Sequence, residues 1–567
     1  MRHSTLLTCC SWLSILGPSS AGPVQAVLKP GLRGTRGAVA SENIICSQIG
    51  VDMIGMGGSA ADAMVATELC VGVIGMYHSG IGGGGFMLVR DKHGRYEVID
   101  YRETAPAAAH KNMYKNNPDA SVLGGLAVAI PGELRGLEYL HTKYGVLPWS
   151  TVVTPAVRIA RDGFQVNEDL VRYMKGASNN NTFLTDDPVW AEDFAPNGTL
   201  VKLGDIITRK RYADSLEKIA KHGADIFYEG ELAQSMIQLL SSSNGIITPG
   251  DLKNYTVSIK KPLSINYRDY RLFTTEAPSS GAVTLSILKT MEQYPLEDLT
   301  DSNLTTHRFV EAMKFAYGAR QELGDPDFIS NIEQYQKLMT SDAKAREVRG
   351  RIQDNQTQPI NAYNPQELYA AESSGTSHIV TADISGLTVS STTTINLLFG
   401  AQIMTPDTGI ILNNEMDDFS QPGRRNSFGF EPSPANFIAA GKRPLSSITP
   451  LMAEFAGNGT LLFAAGAAGG SRIISATTLI AWNVLHAGMG MRAAVAAPRL
   501  HDQLMPDVLL VEDGFDRAVF AALAARRHNA TWMGPGASSA QAVMRLWNGS
   551  FDAASEPRQR NSGGLTV

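Results

Sequence analysis

Between residues 375 and 376 the chain changes character within one peptide bond. Residues 342–375 are polar, with Asn and Gln frequent from Asp354 to Gln366, and read as a long surface segment. From Thr376 the pattern is β: a strand over 376–382, a turn at Asp383-Ile384-Ser385-Gly386, and a second strand over 387–399. A fold with this sequence must bring an exposed segment straight into a sheet. Gly-Thr itself says little, because it also occurs at Gly34-Thr35, Gly198-Thr199 and Gly459-Thr460. Only Gly375-Thr376 joins a loop-like stretch to a strand. Severing the bond after Gly375 would leave Thr376 with a hydroxyl nucleophile and an α-amine of pKa about 8, suited to act as its own base.

On a period of two, Thr392, Thr394 and Asn396 share one face of the second strand and Ile395 and Leu397 the other. A row of hydroxyls ending in an amide fits either a solvent-facing edge strand or a polar site. Asn413-Asn414-Glu415-Met416-Asp417-Asp418 fits a solvated acidic turn or a pocket for an ammonium group; the spacing is not that of an EF-hand loop. Pro444-Leu445-Ser446-Ser447 puts two hydroxyls after a rigid turn. A strand over 461–465 leads through Gly466-Ala-Ala-Gly469-Gly470 into a helix over 475–486. Backbone N–H groups converging there would stabilise an oxyanion, with close packing as the alternative.

Elsewhere, residues 38–75 read as helix, turn and helix, the second capped by Ser59. Gly80, Gly82 and Gly85 match the dinucleotide fingerprint in the wrong context, because a strand over 86–89 follows them instead of a helix, and a turn at 91–94 returns it through 96–100. These glycines are read as a close backbone approach, not a cofactor site. Helices are expected over 214–222, 230–241 and 306–323, and a strand over 267–273.

The 567 residues suffice for one or two large domains, or for three or four of average size. A net charge of -6, with both signs interspersed, argues against a nucleic-acid partner. Arg2 and His3 precede a short apolar run over 6–16 and then small residues, the pattern of a signal peptide cleaved after Ala21 or Ala26. An uncleaved anchor is the alternative. Eight Asn-x-Ser/Thr sequons, at Asn180, Asn197, Asn254, Asn303, Asn355, Asn458, Asn529 and Asn548, agree with export. Cys9 and Cys10 lie in the leader; Cys46 and Cys70 remain, as one disulfide or as two buried thiols. Without clustered Cys or His, no zinc site is expected.

Taken together and in order, GIGGGGFMLV (80–89), DYRETAP (100–106), GTSH (375–378), STTTIN (391–396), NNEMDDFS (413–420), PLSS (444–447) and GAAGG (466–470) resemble the γ-glutamyltransferase family of N-terminal-nucleophile hydrolases. AVAAPRLHDQ (494–503) extends the likeness towards the C-terminus. The resemblance implies an α+β fold, a four-layer αββα sandwich. It implies a self-cleaving precursor of a signal peptide (1–26), a large chain (27–375) and a small catalytic chain (376–567) that form a heterodimer. It further implies a glutathione hydrolase and γ-glutamyl transpeptidase with no metal or organic cofactor, passing the γ-glutamyl group to water or to amino acid and dipeptide acceptors. Location in the secretory pathway follows, extracellular first, with a vacuole-like compartment or a membrane anchor as alternatives.

By the same resemblance Thr376 is the nucleophile and Thr394 hydrogen-bonds it and assists cleavage. Arg102, Ser446 and Ser447 hold the substrate's α-carboxylate; Asn396, Glu415 and Asp418 hold its α-ammonium. Gly469 and Gly470 form the oxyanion hole, and Cys46 pairs with Cys70. Arg suits the first role because its fork matches a carboxylate in two places. Ile448, Val380 and Ser385 depart from the family's usual residues without touching a position given to the substrate's charges.

Overall fold

A computed structural model describes residues 34–177, 182–370, 375–427 and 429–567. The expected signal peptide and the sequon at Asn180 therefore lie outside the described residues.

Two antiparallel sheets carry the fold. The seven-stranded sheet has the order Gly563–Thr566, Gly37–Ser41, Ser377–Asp383, Thr388–Thr394, Gly84–Arg90, Tyr96–Asp100 and Ser258–Lys260. The six-stranded sheet has the order Phe551–Ala554, Ser539–Arg545, Leu461–Ala468, Leu451–Phe455, Tyr270–Thr274 and Leu263–Tyr267. Side-chain alternation sorts each strand between two cores. Val39, Met87, Ile99, Ile379 and Val389 pack outward with the helices Ile44–Gly55 and Ala60–Ile74. Ala40, Leu88, Val98, Val380 and Ala382 point inward and meet Phe273, Met452, Ala464 and Val543 of the other sheet. The outer face of that second sheet, with Leu272, Ala453 and Ala465, packs on the helices Gly281–Glu292, Ser302–Arg320 and Arg472–Leu485. Three apolar layers separated by two sheets are an αββα sandwich, the expected class.

The Ala60–Ile74 helix is set by local chemistry. Ser59 and Asp62 form a reciprocal capping box, and every residue in the helix is buried because it lies between the sheet and the outer helices. A disulfide joins Cys46 of the first helix to Cys70 of the second, with Cα atoms 5.4 Å apart. The glycines at 82–85 close the gap between strand and loop: a Cβ on Gly82 would lie 2.0 Å from the Ile411 carbonyl oxygen, and one on Gly85 2.0 Å from that of Thr392.

Several expectations are corrected. Residues 38–41 belong to a strand, Gly37–Ser41, not to a helix. The single strand over 267–273 is a hairpin of Leu263–Tyr267 and Tyr270–Thr274, its turn hidden because Arg268 takes φ +49° without a glycine to announce it. The segment over 342–375 contains the helix Asp342–Arg351. Two further differences concern the site. The Thr388–Thr394 strand stops before Asn396, whose φ of +73° takes it off the strand face. That strand is also the central one of seven, with all its residues buried, so its hydroxyl row faces the interior and not solvent.

Candidate active site

Thr376 stands one residue ahead of the Ser377–Asp383 strand and is 4% exposed. Alternation puts it on the inward face with His378. Gly375 is packed against the chain leaving the neighbouring strand: a Cβ there would lie 2.3 Å from the Asn396 carbonyl oxygen. The Thr394 hydroxyl donates to the Gly375 carbonyl oxygen at 2.5 Å and accepts from the Asn396 N–H at 2.7 Å. The three groups form one relay, each bond polarising the next, directed at the carbonyl that joins Gly375 to Thr376.

The turn of Asn396 is pinned through its neighbours. Its Nδ2 donates to the Asn414 carbonyl at 3.0 Å, and Asn414 Oδ1 accepts from the Leu397 N–H at 3.0 Å. Asn413 Nδ2 donates to the carbonyls of Gly82 and Ala129, both at 2.8 Å. The two amides of the Asn413–Asp418 run thus fix the short 3-10 turn Glu415–Asp418 beneath the nucleophile strand's neighbour. Asn396 Oδ1, fully buried, accepts no hydrogen bond.

Arg102 follows the Tyr96–Asp100 strand and is 1% exposed. One arm of its guanidinium lies 2.5 Å from Glu415 Oε1, the other donates to Asp418 Oδ2, and Glu103 Oε2 lies 3.7 Å away. One cation therefore faces three carboxylates. Burial lowers the Arg102 pKa, but Glu415, Asp418 and Glu103 together hold it above its ordinary value. Burial lifts Glu103 to about 7 against the pull of Arg102, and lifts Glu415 well above the carboxylate range, with Glu103 and Asp418 adding to it. The acid-rich zone continues behind the strand. Tyr101 donates to Glu68 at 3.2 Å and Thr393 donates to Glu133, and burial raises Glu68 to about 7.

Ser446 is held by its backbone: its N–H donates to Pro278 at 2.7 Å and its carbonyl accepts from Ser280 Oγ at 2.6 Å. Ser447 Oγ accepts from Arg320 at 3.0 Å, and Arg320 Nε donates to Ser280 Oγ at 3.0 Å. Gly469 and Gly470, at φ +123° and +63°, make the turn between the Leu461–Ala468 strand and the Arg472–Leu485 helix. Gly466–Ala468, expected as loop, continue that strand; Gly466 is required there because a Cβ would lie 2.3 Å from the His378 ring. His378 in turn is bonded to Thr392 Oγ1 at 2.8 Å and Ser390 Oγ at 3.2 Å, and burial drops its pKa to about 3, so the ring is neutral. A cleft of about 320 Å³ lined by Val122, Tyr369, Asp417, Phe419 and Arg424 opens on either side of Asp418 in the chain. A larger one, about 420 Å³, is lined by His141, Trp149 and Lys221 on outer helices that carry none of these residues.

Residues 46–565 match the family model of γ-glutamyltranspeptidase. The chain belongs to the γ-glutamyltranspeptidase family. A glutathione hydrolase proenzyme of Arthroderma benhamiae is 54% identical over 94% of this chain and 93% of its own length. A glutathione hydrolase of Aspergillus flavus is 47% identical over 94% and 89%. Among solved structures, the cephalosporin acylase of Bacillus halodurans superposes with a TM-score of 0.82 at 26% identity, over 98% of this chain and 99% of that one. The residues around the site that sequence reasoning overlooked are Glu103, His378 and Arg320. Glu103 and His378 sit inside motifs that were read, DYRETAP and GTSH. Arg320 left a fainter signal: a cation closing the otherwise largely apolar last turns of the Ser302–Arg320 helix.

Proposed function

We propose that this chain is a self-cleaving glutathione hydrolase and γ-glutamyl transpeptidase, made as a precursor and severed after Gly375 into chains of residues 27–375 and 376–567. The observation that carries the reading is the relay from the Asn396 N–H through the Thr394 hydroxyl to the Gly375 carbonyl. It withdraws electron density from the carbonyl that the neighbouring Thr376 hydroxyl must attack. Attack forms an ester between Gly375 and Thr376 Oγ as the peptide nitrogen leaves as the α-amine. Water then hydrolyses the ester, leaving a carboxylate on Gly375 and a free N-terminal Thr376.

In the mature enzyme the α-amine takes the Thr376 hydroxyl proton while Oγ attacks the γ-carbonyl of glutathione. Gly469 and Gly470 stabilise the oxyanion. The amine returns its proton to the leaving nitrogen, cysteinylglycine departs, and a γ-glutamyl ester remains. Water, an amino acid or a dipeptide then takes the acyl group. The substrate's zwitterionic head enters the Arg102 cluster by charge exchange: its α-carboxylate takes a share of Arg102 with Ser446 and Ser447, and its ammonium replaces that share at Glu415, Asp418 and Asn396. A buried cluster with more carboxylates than cations favours a ligand that brings a cation. The same excess disfavours a glutaryl substrate, which has none, despite the likeness to a cephalosporin acylase.

Among the described residues no helix is long and apolar enough to cross a membrane. The signal-like N-terminus supports secretion, and the sequon asparagines agree: Asn197, Asn254, Asn355, Asn458, Asn529 and Asn548 are exposed and Asn303 is partly so. The activity is tested with a γ-glutamyl anilide and with glutathione. Anilide release that rises on adding glycylglycine, and glutamate release from glutathione, are expected. A purified, severed protein that releases neither would overturn the proposal.

A further inference from the structure

The Ser302–Arg320 helix carries His307 and Glu311 one turn apart, on one face. His528, just beyond the Arg517–Ala525 helix, meets them. His307 and Glu311 are fully buried and His528 is 4% exposed. His307 Nδ1 lies 2.8 Å from His528 Nε2, Glu311 Oε1 lies 4.0 Å from the same nitrogen, and all three atoms fall within 4.8 Å of one another.

We propose that His307 Nδ1, His528 Nε2 and Glu311 Oε1 bind a zinc ion. Two imidazole nitrogens and one carboxylate oxygen are a zinc ligand set, completed by a water. Bond lengths of about 2.0–2.1 Å around a tetrahedral ion put ligand atoms about 3.3 Å apart, and the two observed separations bracket that value. Small opposite shifts of His307 and Glu311 relative to His528 bring the set to register.

The surrounding bonds orient the ligands. His307 Nε2 donates to the Gln353 carbonyl at 2.7 Å, which leaves the Nδ1 lone pair pointing at the site. Tyr363 donates to Glu311 Oε2 at 2.7 Å, which turns Oε1 inward, and that buried oxygen accepts no hydrogen bond. A plain His–His hydrogen bond pairs His307 Nδ1 with His528 Nε2 but leaves two buried atoms, His528 Nδ1 and Glu311 Oε1, without a partner. The nearby cations are already engaged: Lys314 with Asp502 and Asp507, and Arg308 with Asp354. Gln353, whose carbonyl holds His307, and Asn529, next to His528, are both exposed, which puts the site close beneath the surface.

His307 and Glu311 precede Gly375 and His528 follows it. On the reading that the chain is severed there, the ion ties the two chains together. The site itself does not rest on that reading.

The test is zinc content after dialysis against zinc and removal of the excess, with melting followed in parallel. Wild type and the unsevered Thr376→Ala chain are expected to retain one equivalent and to melt at higher temperature with zinc than with a chelator. Changes to groups that only orient a ligand already cost about 10–100-fold in metal affinity, so Glu311→Gln, which keeps the Tyr363 partner, is expected to weaken zinc by at least about 100-fold. His528→Gln is the second variant, with anilide turnover as the check that each variant is folded. No retained zinc in wild type, or equal retention by both folded variants, would overturn the site. Binding by wild type but not by Thr376→Ala would overturn its independence from cleavage.

Discussion

The Arg499–Arg558 cluster and the Arg102 cluster are both buried and both set arginine against carboxylate, but their charges are answered to different degrees. In the first, Arg499 and Arg558 face Glu512 and Glu556. Glu556 accepts from Arg499, from the Ala540 N–H and from Arg558, Glu512 accepts from Arg558 and the Arg499 N–H, and all four carboxylate oxygens are bonded. In the second, one guanidinium faces Glu103, Glu415 and Asp418, and neither oxygen of Glu103 or Glu415 accepts a well-formed hydrogen bond. Carboxylates bonded in this way have no oxygen left for a cation, and they hold the strand ends near Glu512 and Glu556 together. An unsaturated one leaves buried carboxylate oxygens without donors, which on the proposed function a cationic ligand would supply.

Substitutions at equivalent places should separate the two. Glu556→Gln leaves Arg499 with an unneutralised buried charge and is expected to cost about 3–5 kcal/mol in urea unfolding, with kcat/KM of the folded fraction unchanged. Glu415→Gln removes a partner for the substrate ammonium. It is expected to lower kcat/KM by about 1.5–3 kcal/mol, roughly 10- to 150-fold, mainly through KM and with little change in the urea midpoint. If Glu415→Gln unfolds the protein as Glu556→Gln does, the distinction between the clusters fails.

A third effect, spread over pH, is comparable in size. Burial raises Glu68, behind the Arg102 cluster, from 4.5 to about 7 in the folded chain. The unfolded chain surrenders this proton first, so the stabilisation is full below pH 4.5 and is lost as pH rises through about 7. Wild type should therefore lose stability relative to Glu68→Gln over that interval, by up to about 1.4 kcal/mol per pH unit. Parallel curves from pH 5 to 8 would show that Glu68 is ionised throughout, and the acid-rich zone would need another description.

Local chemistry made much of this legible beforehand. The cap at Ser59, the hairpin through 91–94 and the change of character at Gly375 are each written in a few consecutive residues. The polar row of Thr392 and Thr394 was legible as a pattern but not in its placement, because whether a strand is central or at an edge depends on partners hundreds of residues away. Asn396 was misplaced onto that strand because the alternating pattern was followed past it, although Asn is one of the few residues besides Gly that tolerates a left-handed backbone. The charge balance at Arg102 was hidden for a similar reason. Asp418 lies 316 residues away, and Glu103, next in sequence, had no visible reason to be buried. His307 and His528 meet although 221 residues separate them, so no local motif announces the pair.

The central claim is that Thr376 becomes an N-terminus by the chain's own chemistry. Its most direct test is denaturing electrophoresis of the purified protein with N-terminal sequencing of the smaller band, beside Thr376→Ala. The account predicts two bands from wild type, the smaller beginning Thr-Ser-His-Ile-Val, and one intact, inactive chain from the variant. An active wild-type protein that remains a single chain, or a Thr376→Ala chain severed at the same bond, would contradict it.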